Sequence, residues 1–236
     1  TEKAILSLAN GKKVELGNNK TSELVDESGN SISQRSGEII YEPNNLENNA
    51  TNQLEVPKGG QYAVTISDGT KIWLNAGSKI LYPVTFAGKK QREVQLFGEA
   101  YFEVARDRTK PFIVHTEHQT IEVLGTHFNI NTYSDEPQAV TTLTEGLVKV
   151  TTPIDKQKEF ILHPGQMAAT SKKQTVVGVA DIESALAWQR GIFYFKNASI
   201  KTIMRQVSRW YDVEVEFKRD LPERHFTGGV HRSANL

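Results

Sequence analysis

The chain contains no cysteine. Disulfides, thiolate zinc sites and a cysteine nucleophile are therefore excluded. It has no net charge either, since 28 Lys and Arg balance 28 Asp and Glu. A neutral chain gains little long-range attraction to nucleic acid or to an acidic membrane surface. No run approaches the ~18 apolar residues of a membrane helix. The sequence starts at Thr1 without a start Met or signal peptide, so it is expected to be a trimmed piece of something longer. The Gly59-Gly60 pair is too short a feature to cradle a phosphate. Neither Ser78 nor Ser199 has the flanking residues of a nucleophile elbow.

What is present suits a folded chain with a core: 236 residues, 38% hydrophobic and 24% charged. That length fits one large all-β domain, or a medium domain plus a small one. Period-2 alternation around turn residues is the main signal. Tyr62, Val64 and Ile66 alternate up to Asp68-Gly69, and Ile72 and Leu74 continue beyond. A loop centred on Gly69 would set Ile66 opposite Ile72 and Val64 opposite Leu74. The same pattern occurs 58 residues earlier, where Leu6, Leu8, Asn10-Gly11, Val14 and Leu16 align with Val64, Ile66, Asp68-Gly69, Ile72 and Leu74. Two copies of one hairpin suggest a solenoid or a stacked sandwich. A second hairpin spans Phe112 to Val123, with a two-residue turn at Glu117-His118 pairing Val114 with Ile121 and Phe112 with Val123.

Further strands are expected at Glu93–Phe97, Ala100–Val104, Thr126–Asn131, Val140–Leu143, Leu147–Thr151, Glu159–Leu162 and Met167–Thr170, punctuated by glycines. Tyr41–Gln53, rich in Asn, reads as a loop or linker. The period changes near Asp181. Asp181–Trp188 reads as a short helix and Phe193–Phe195 as a strand. Ser199 caps a helix with a stripe of Ile200, Ile203, Met204, Val207, Trp210 and Tyr211. Val213, Val215 and Phe217 then alternate as a strand, with another at His225–Val230. The fold expected is mainly β over residues 1–180, followed by a small β-α-β unit over 181–236, whose separate core lets it move as a body.

Candidate chemistry is sparse. His115, His118 and Glu122 have loose metal-motif spacing, but residues three apart on a strand face opposite ways. Glu99 and Glu103 share a strand face roughly 13 Å apart, beyond the ~5–9.5 Å of glycosidase carboxylate pairs, and read as a solvated face. Trp73, Tyr82, Phe86 and Tyr101 could line a sugar platform, although aromatics in β-rich domains are more often packing. No catalytic, cofactor-binding or metal-binding residue is assigned, and no cofactor is expected.

Several ordered blocks resemble the FecR family. They are Gly60-Gln61-Tyr62 through Asp68-Gly69-Thr70-Lys71-Ile72-Trp73-Leu74-Asn75-Ala76-Gly77-Ser78, Arg92 through Val104, Pro111-Phe112-Ile113-Val114, Val123 through Ile130, Thr142 through Val148, and Leu162-His163-Pro164-Gly165-Gln166. The tail, Ala187-Trp188-Gln189-Arg190-Gly191 through Arg209-Trp210-Tyr211-Asp212-Val213, is similar to the C-terminal domain of Bacteroidetes-type members, itself akin to the short signalling domain of secretins and TonB-dependent transducers. The resemblance implies a FecR-type β-solenoid or β-sandwich domain followed by this small α/β unit. It implies a periplasmic signal-relay part of an anti-sigma factor, with no enzymatic activity. The expected partner is the N-terminal signalling domain of a TonB-dependent outer-membrane transducer, and the relay controls an extracytoplasmic-function sigma factor. Sigma-factor binding and the inner-membrane helix fall to upstream regions missing from these residues, and the small unit reads as incomplete. A carbohydrate-binding β module is the alternative reading. The partner site is placed on the C-terminal unit at Trp210, Tyr211, Val213, Val215 and Phe217, because an unpaired strand edge and uncovered apolar surface both favour association.

Overall fold

The computed structural model describes residues 3–17, 22–25, 29, 31–43, 47–154, 158–218 and 224–233. Eighteen strands form one curled sheet. The first nine are β1 (Lys3–Ser7), β2 (Lys13–Gly17), β3 (Ser22–Val25), β4 (Ser31–Arg35), β5 (Glu38–Tyr41), β6 (Thr51–Val56), β7 (Tyr62–Thr65), β8 (Lys71–Leu74) and β9 (Ser78–Pro83). The next nine are β10 (Arg92–Glu103), β11 (Phe112–His115), β12 (Thr120–Val123), β13 (His127–Thr132), β14 (Ala139–Glu145), β15 (Val148–Thr151), β16 (Glu159–Leu162), β17 (Gln166–Thr170) and β18 (Thr175–Val179). A short helix α1 (Ile182–Leu186) and a 3₁₀ turn (Ala187–Arg190) lead to β19 (Ile192–Ser199), helix α2 (Ile200–Tyr211) and β20 (His225–His231). β19 and β20 form their own two-stranded sheet.

The curl turns on β10. Its first half pairs with β9 and β11, and its second half with β8 and β13. Sequence reading divides this strand in two at Gly98; the chain instead runs through and changes partners there. Gly98 sits at φ +91°, and a Cβ on it would lie 2.5 Å from Ser78 Oγ, so only glycine passes this corner without strain. Alternate residues from both halves fill one core, including Leu54, Ile80, Leu96, Val114 and Val150 on one side and Val64, Ile72, Phe128 and Leu143 on the other. Phe102 joins the two sides: its ring stacks on Phe128 at 5.0 Å between centroids and meets Phe112 edge-on at 6.3 Å.

The 58-residue repeat holds in three dimensions. Ala4↔Leu16 and Leu6↔Val14 in β1–β2 correspond to Tyr62↔Leu74 and Val64↔Ile72 in β7–β8. Both turns close with the same pair of backbone bonds: Leu8 N to Lys12 O with Gly11 N to Leu8 O, and Ile66 N to Thr70 O with Gly69 N to Ile66 O. The β7–β8 register is two residues tighter than the loop centred on Gly69. The Asp68 carboxylate accepts from Thr70 N at 2.9 Å and Thr70 Oγ1 at 2.8 Å, which draws the loop in to three residues. Buried Arg92 then pins Asp68 at 2.8 Å. The Phe112–Val123 hairpin has the expected register, closed by Thr116 N to Gln119 O.

Two loop and strand expectations need correction. Thr51–Gln53 belongs to β6 rather than to a linker. Asn52 is buried there, accepting from Ala9 N and donating to Tyr41 Oη, so one of the asparagines that suggested a turn is a buried hydrogen-bonding joint. Val213, Val215 and Phe217 lie in an irregular segment, not a strand. Alternation supplies a face, but a strand needs a neighbour, and among the described residues β19 takes β20 for that role.

Candidate functional site

On the second half of β10, Ala100 and Phe102 point into the core, so Glu99 and Glu103 point the other way, as their shared parity predicts. Asn75 after β8 and Asn129 and Asn131 on β13 share that outer face. A solvated face is nevertheless wrong for Glu99, which is 7% exposed. The C-terminal unit covers this end of the sheet. Trp188 Nε1 donates to Asn129 Oδ1 at 3.1 Å, and Asn129 Nδ2 donates to Glu99 Oε1 at 3.1 Å. Asn75 Nδ2 donates to Glu99 Oε2 at 2.7 Å, while Asn75 Oδ1 accepts from Arg232 at 3.0 Å. Asn75 thus links a buried carboxylate to a buried guanidinium. Burial raises the Glu99 pKa, and the two asparagine bonds and the charges of Arg209 and Arg232 only partly oppose it. Burial also lowers the Arg232 pKa, to about 10. Arg232 lies between the rings of Phe193 and Trp210, 4.8 and 4.6 Å from their centroids.

Beside this cluster is an ionic clasp. Arg205 and Arg209 stand four apart on α2 and so share a face. The β13–β14 turn presents Asp135 and Glu136 to them. Arg205 Nε and an Nη reach Glu136 Oε2 at 2.9 and 2.6 Å. Arg209 Nη1 reaches both Asp135 oxygens at 2.8 Å, and Nη2 donates to Glu136 Oε1. The Arg209 guanidinium also lies 4.1 Å over the Tyr133 ring. Burial works against the Glu136 carboxylate, but the hydrogen bonds from Arg205 and Arg209 outweigh it and hold its pKa below the ordinary value. Arg209 is the one buried residue of α2, whereas the apolar stripe of that helix is only half-buried. The loop before β7 completes the contact, with Gly59 N donating to Arg209 O at 2.9 Å and Gln61 Nε2 to Trp188 O at 2.7 Å.

The five residues proposed as a partner site fall into two groups. Trp210 Nε1 and Tyr211 Oη both donate to the Arg232 carbonyl, at 3.2 and 3.1 Å. The Tyr211 ring leans on Phe193, which stacks on Phe195. These two side chains hold the unit together. Val213, Val215 and Phe217 are exposed at 36%, 37% and 40%, and every residue of β20 is exposed, Phe226 and Val230 included.

Elsewhere the aromatics divide. Tyr82 and Phe86 are core, while Trp73 and Tyr101 pair on the outer face with centroids 5.8 Å apart, so the four make no common platform. His115 Nε2 lies 2.9 Å from Glu93 across neighbouring strands, and His118 sits in the turn. Among the described residues, no group of three His, Asp or Glu is placed to hold a metal, and no helix is long and apolar enough to cross a membrane.

The clasp and the asparagine–glutamate cluster were missed in the sequence because their partners lie 24 to 157 positions apart. The one available signal was the i, i+4 arginine pair on α2.

Comparison with known proteins fits this architecture. The family described as FecR protein matches residues 52–149, and the one described as FecR, C-terminal matches residues 192–236. Two crystal structures of an anti-sigma factor candidate from Parabacteroides distasonis ATCC 8503 are similar. The 1.65 Å structure has a TM-score of 0.71 and 29% identity over 77% of this chain and 85% of that one. The 2.50 Å structure has a TM-score of 0.69 and 28% identity over 78% and 86%. No curated protein matches. With a curled β domain and a small β-α-β unit, each matching its own part of the family, this chain belongs to the FecR family of anti-sigma regulators, which relay signals to sigma factors.

Proposed function

We propose that this chain is the periplasmic, non-enzymatic relay of an inner-membrane anti-sigma regulator, and that its C-terminal unit binds the N-terminal signalling domain of a TonB-dependent outer-membrane transducer. Sigma-factor contact and the membrane anchor are assigned to parts of the protein outside these residues. The observation that carries this reading is the exposed apolar set Val213, Val215 and Phe217 together with a fully exposed β20, all within the C-terminal unit. Exposed apolar side chains and a strand edge left unpaired among the described residues both favour association, because a partner removes the first from water and completes the hydrogen bonds of the second.

The test is calorimetric titration of the chain with the purified signalling domain of its transducer. The double variant Val215→Asp/Phe217→Asp should weaken binding by at least about 30-fold, the effect of losing a hot spot of ~2 kcal/mol. Unchanged affinity, with circular dichroism showing an intact fold, would move the site to the β domain.

A further inference from the structure

A cavity of about 430 Å³ lies at the junction, between the outer face of the curled sheet and the C-terminal unit. That is within the ~300–1,000 Å³ of small-molecule sites. Asn131 and Met167 line it from the sheet, and Ala185, Ile192, Trp188 and Arg232 from the other unit. The site therefore exists only while the two are closed together.

Three of its lining residues carry buried polar atoms without a hydrogen-bond partner among the described residues: Arg232 Nε, Asn131 Oδ1 and Ser184 Oγ. Arg232 is only 6% exposed. Native proteins leave few such groups unpaired, and these three residues line a space large enough for a molecule. Their needs differ: Arg232 Nε–H must donate, Asn131 Oδ1 must accept, and the Ser184 hydroxyl can do either. A hydroxyl group on a ligand can serve any of them.

The charges around the cavity are already balanced. Arg205 and Arg209 are taken by Asp135 and Glu136, and Arg232 faces Glu99 across Asn75. An ionic ligand would bring an uncompensated charge into a partly desolvated site. Met167, Ala185 and Ile192 offer an apolar wall to C–H groups.

From this we propose that the junction cavity binds a small, neutral, polyhydroxylated molecule, a polyol or single-ring sugar, which bridges Asn131 of the β domain to Arg232 of the C-terminal unit. The proposal is independent of which partner the C-terminal unit meets.

The probes are D-glucose, D-galactose and xylitol, with gluconate and glucosamine as charged controls, titrated into the ¹⁵N-labelled chain. The Trp188 indole N–H reports on the cavity. At least one neutral probe should give saturable shifts there, with affinity near millimolar (about −4 kcal/mol), and the charged controls should not. Asn131→Leu should weaken that affinity about tenfold while leaving the rest of the spectrum in place, because Asn131 Oδ1 has no partner among the described residues. The bound probe should also slow proteolysis between Val179 and Ile182. No saturable shift with any neutral probe at tens of millimolar would mean that only ordered water fills the cavity, and would overturn the proposal. So would an equal response to the charged controls, or unaltered affinity in Asn131→Leu.

Discussion

The interior of the curled sheet and the junction with the C-terminal unit are both buried, but they are built from opposite materials. The interior is a continuous set of alternating apolar side chains centred on Phe102, Phe112 and Phe128. The junction is made of Glu99, Asn75, Asn129, Arg232 and the clasp between Arg205, Arg209, Asp135 and Glu136. An apolar interior loses its driving force when opened, because the exposed surface must be hydrated. A polar junction exchanges its bonds for water at much lower net cost. The difference teaches that the β domain is held together by apolar burial, while the C-terminal unit is positioned on it by polar contacts.

The comparison breaks most visibly in the core. Phe102→Ala removes the ring that joins both halves of the sheet and should cost about 3–5 kcal/mol, seen as a drop in the main thermal transition. At the junction, Glu136→Ala leaves Arg205 without its carboxylate and Arg209 with Asp135 alone. It should cost about 3 kcal/mol of closure, as for a broken buried pair. The main transition should stay in place while cleavage between Val179 and Ile182 accelerates. If Glu136→Ala instead lowered the main transition as far as Phe102→Ala does, the junction would be part of the core and the distinction would fail.

Acid sharpens the contrast. Glu136 has a folded pKa below its ordinary 4.5. Its contribution is therefore complete above about pH 4.5 and is lost as pH falls through the lowered value. Glu99 has the opposite sign: its raised pKa means that its charge opposes closure, and protonation on the way down relieves this. The Trp188 indole resonance should therefore keep its closed position as pH falls to about 4.5 and move toward a solvent-exposed position only below it. Opening that begins near neutrality would contradict these assignments.

The smallest effect concerns Val215→Pro. Read as the centre of a strand, Val215 would lose a ladder donor and destabilise the unit. In an irregular exposed segment the change should be worth under about 0.5 kcal/mol, measurable by chemical denaturation.

What was legible in the sequence was local. The Phe112–Val123 hairpin could be read to its register because both strands and the two-residue turn lie within twelve residues. The Ser199 cap and the length of α2 could be read for the same reason, the hydroxyl accepting from Thr202 N. The outward parity of Glu99 was also legible, but its burial was not, since Trp188 and Arg232 supply the cover from far along the chain. Alternation at Val213–Phe217 resembled a strand because pattern reports a face and says nothing of a neighbour. Strands β3, β4, β5, β6, β9 and β18 went unread. β18, Thr-Val-Val-Gly-Val, is largely exposed at the end of the sheet, and its apolar run does not alternate.

The most direct test of the relay is hydrogen exchange on the chain with and without the transducer's N-terminal signalling domain. Slowed exchange is expected in residues 213–217 and in His225–His231, with none added in the core strands between Gln61 and Val150. Protection confined to those core strands, with 213–217 and β20 unaffected, would contradict a C-terminal partner site.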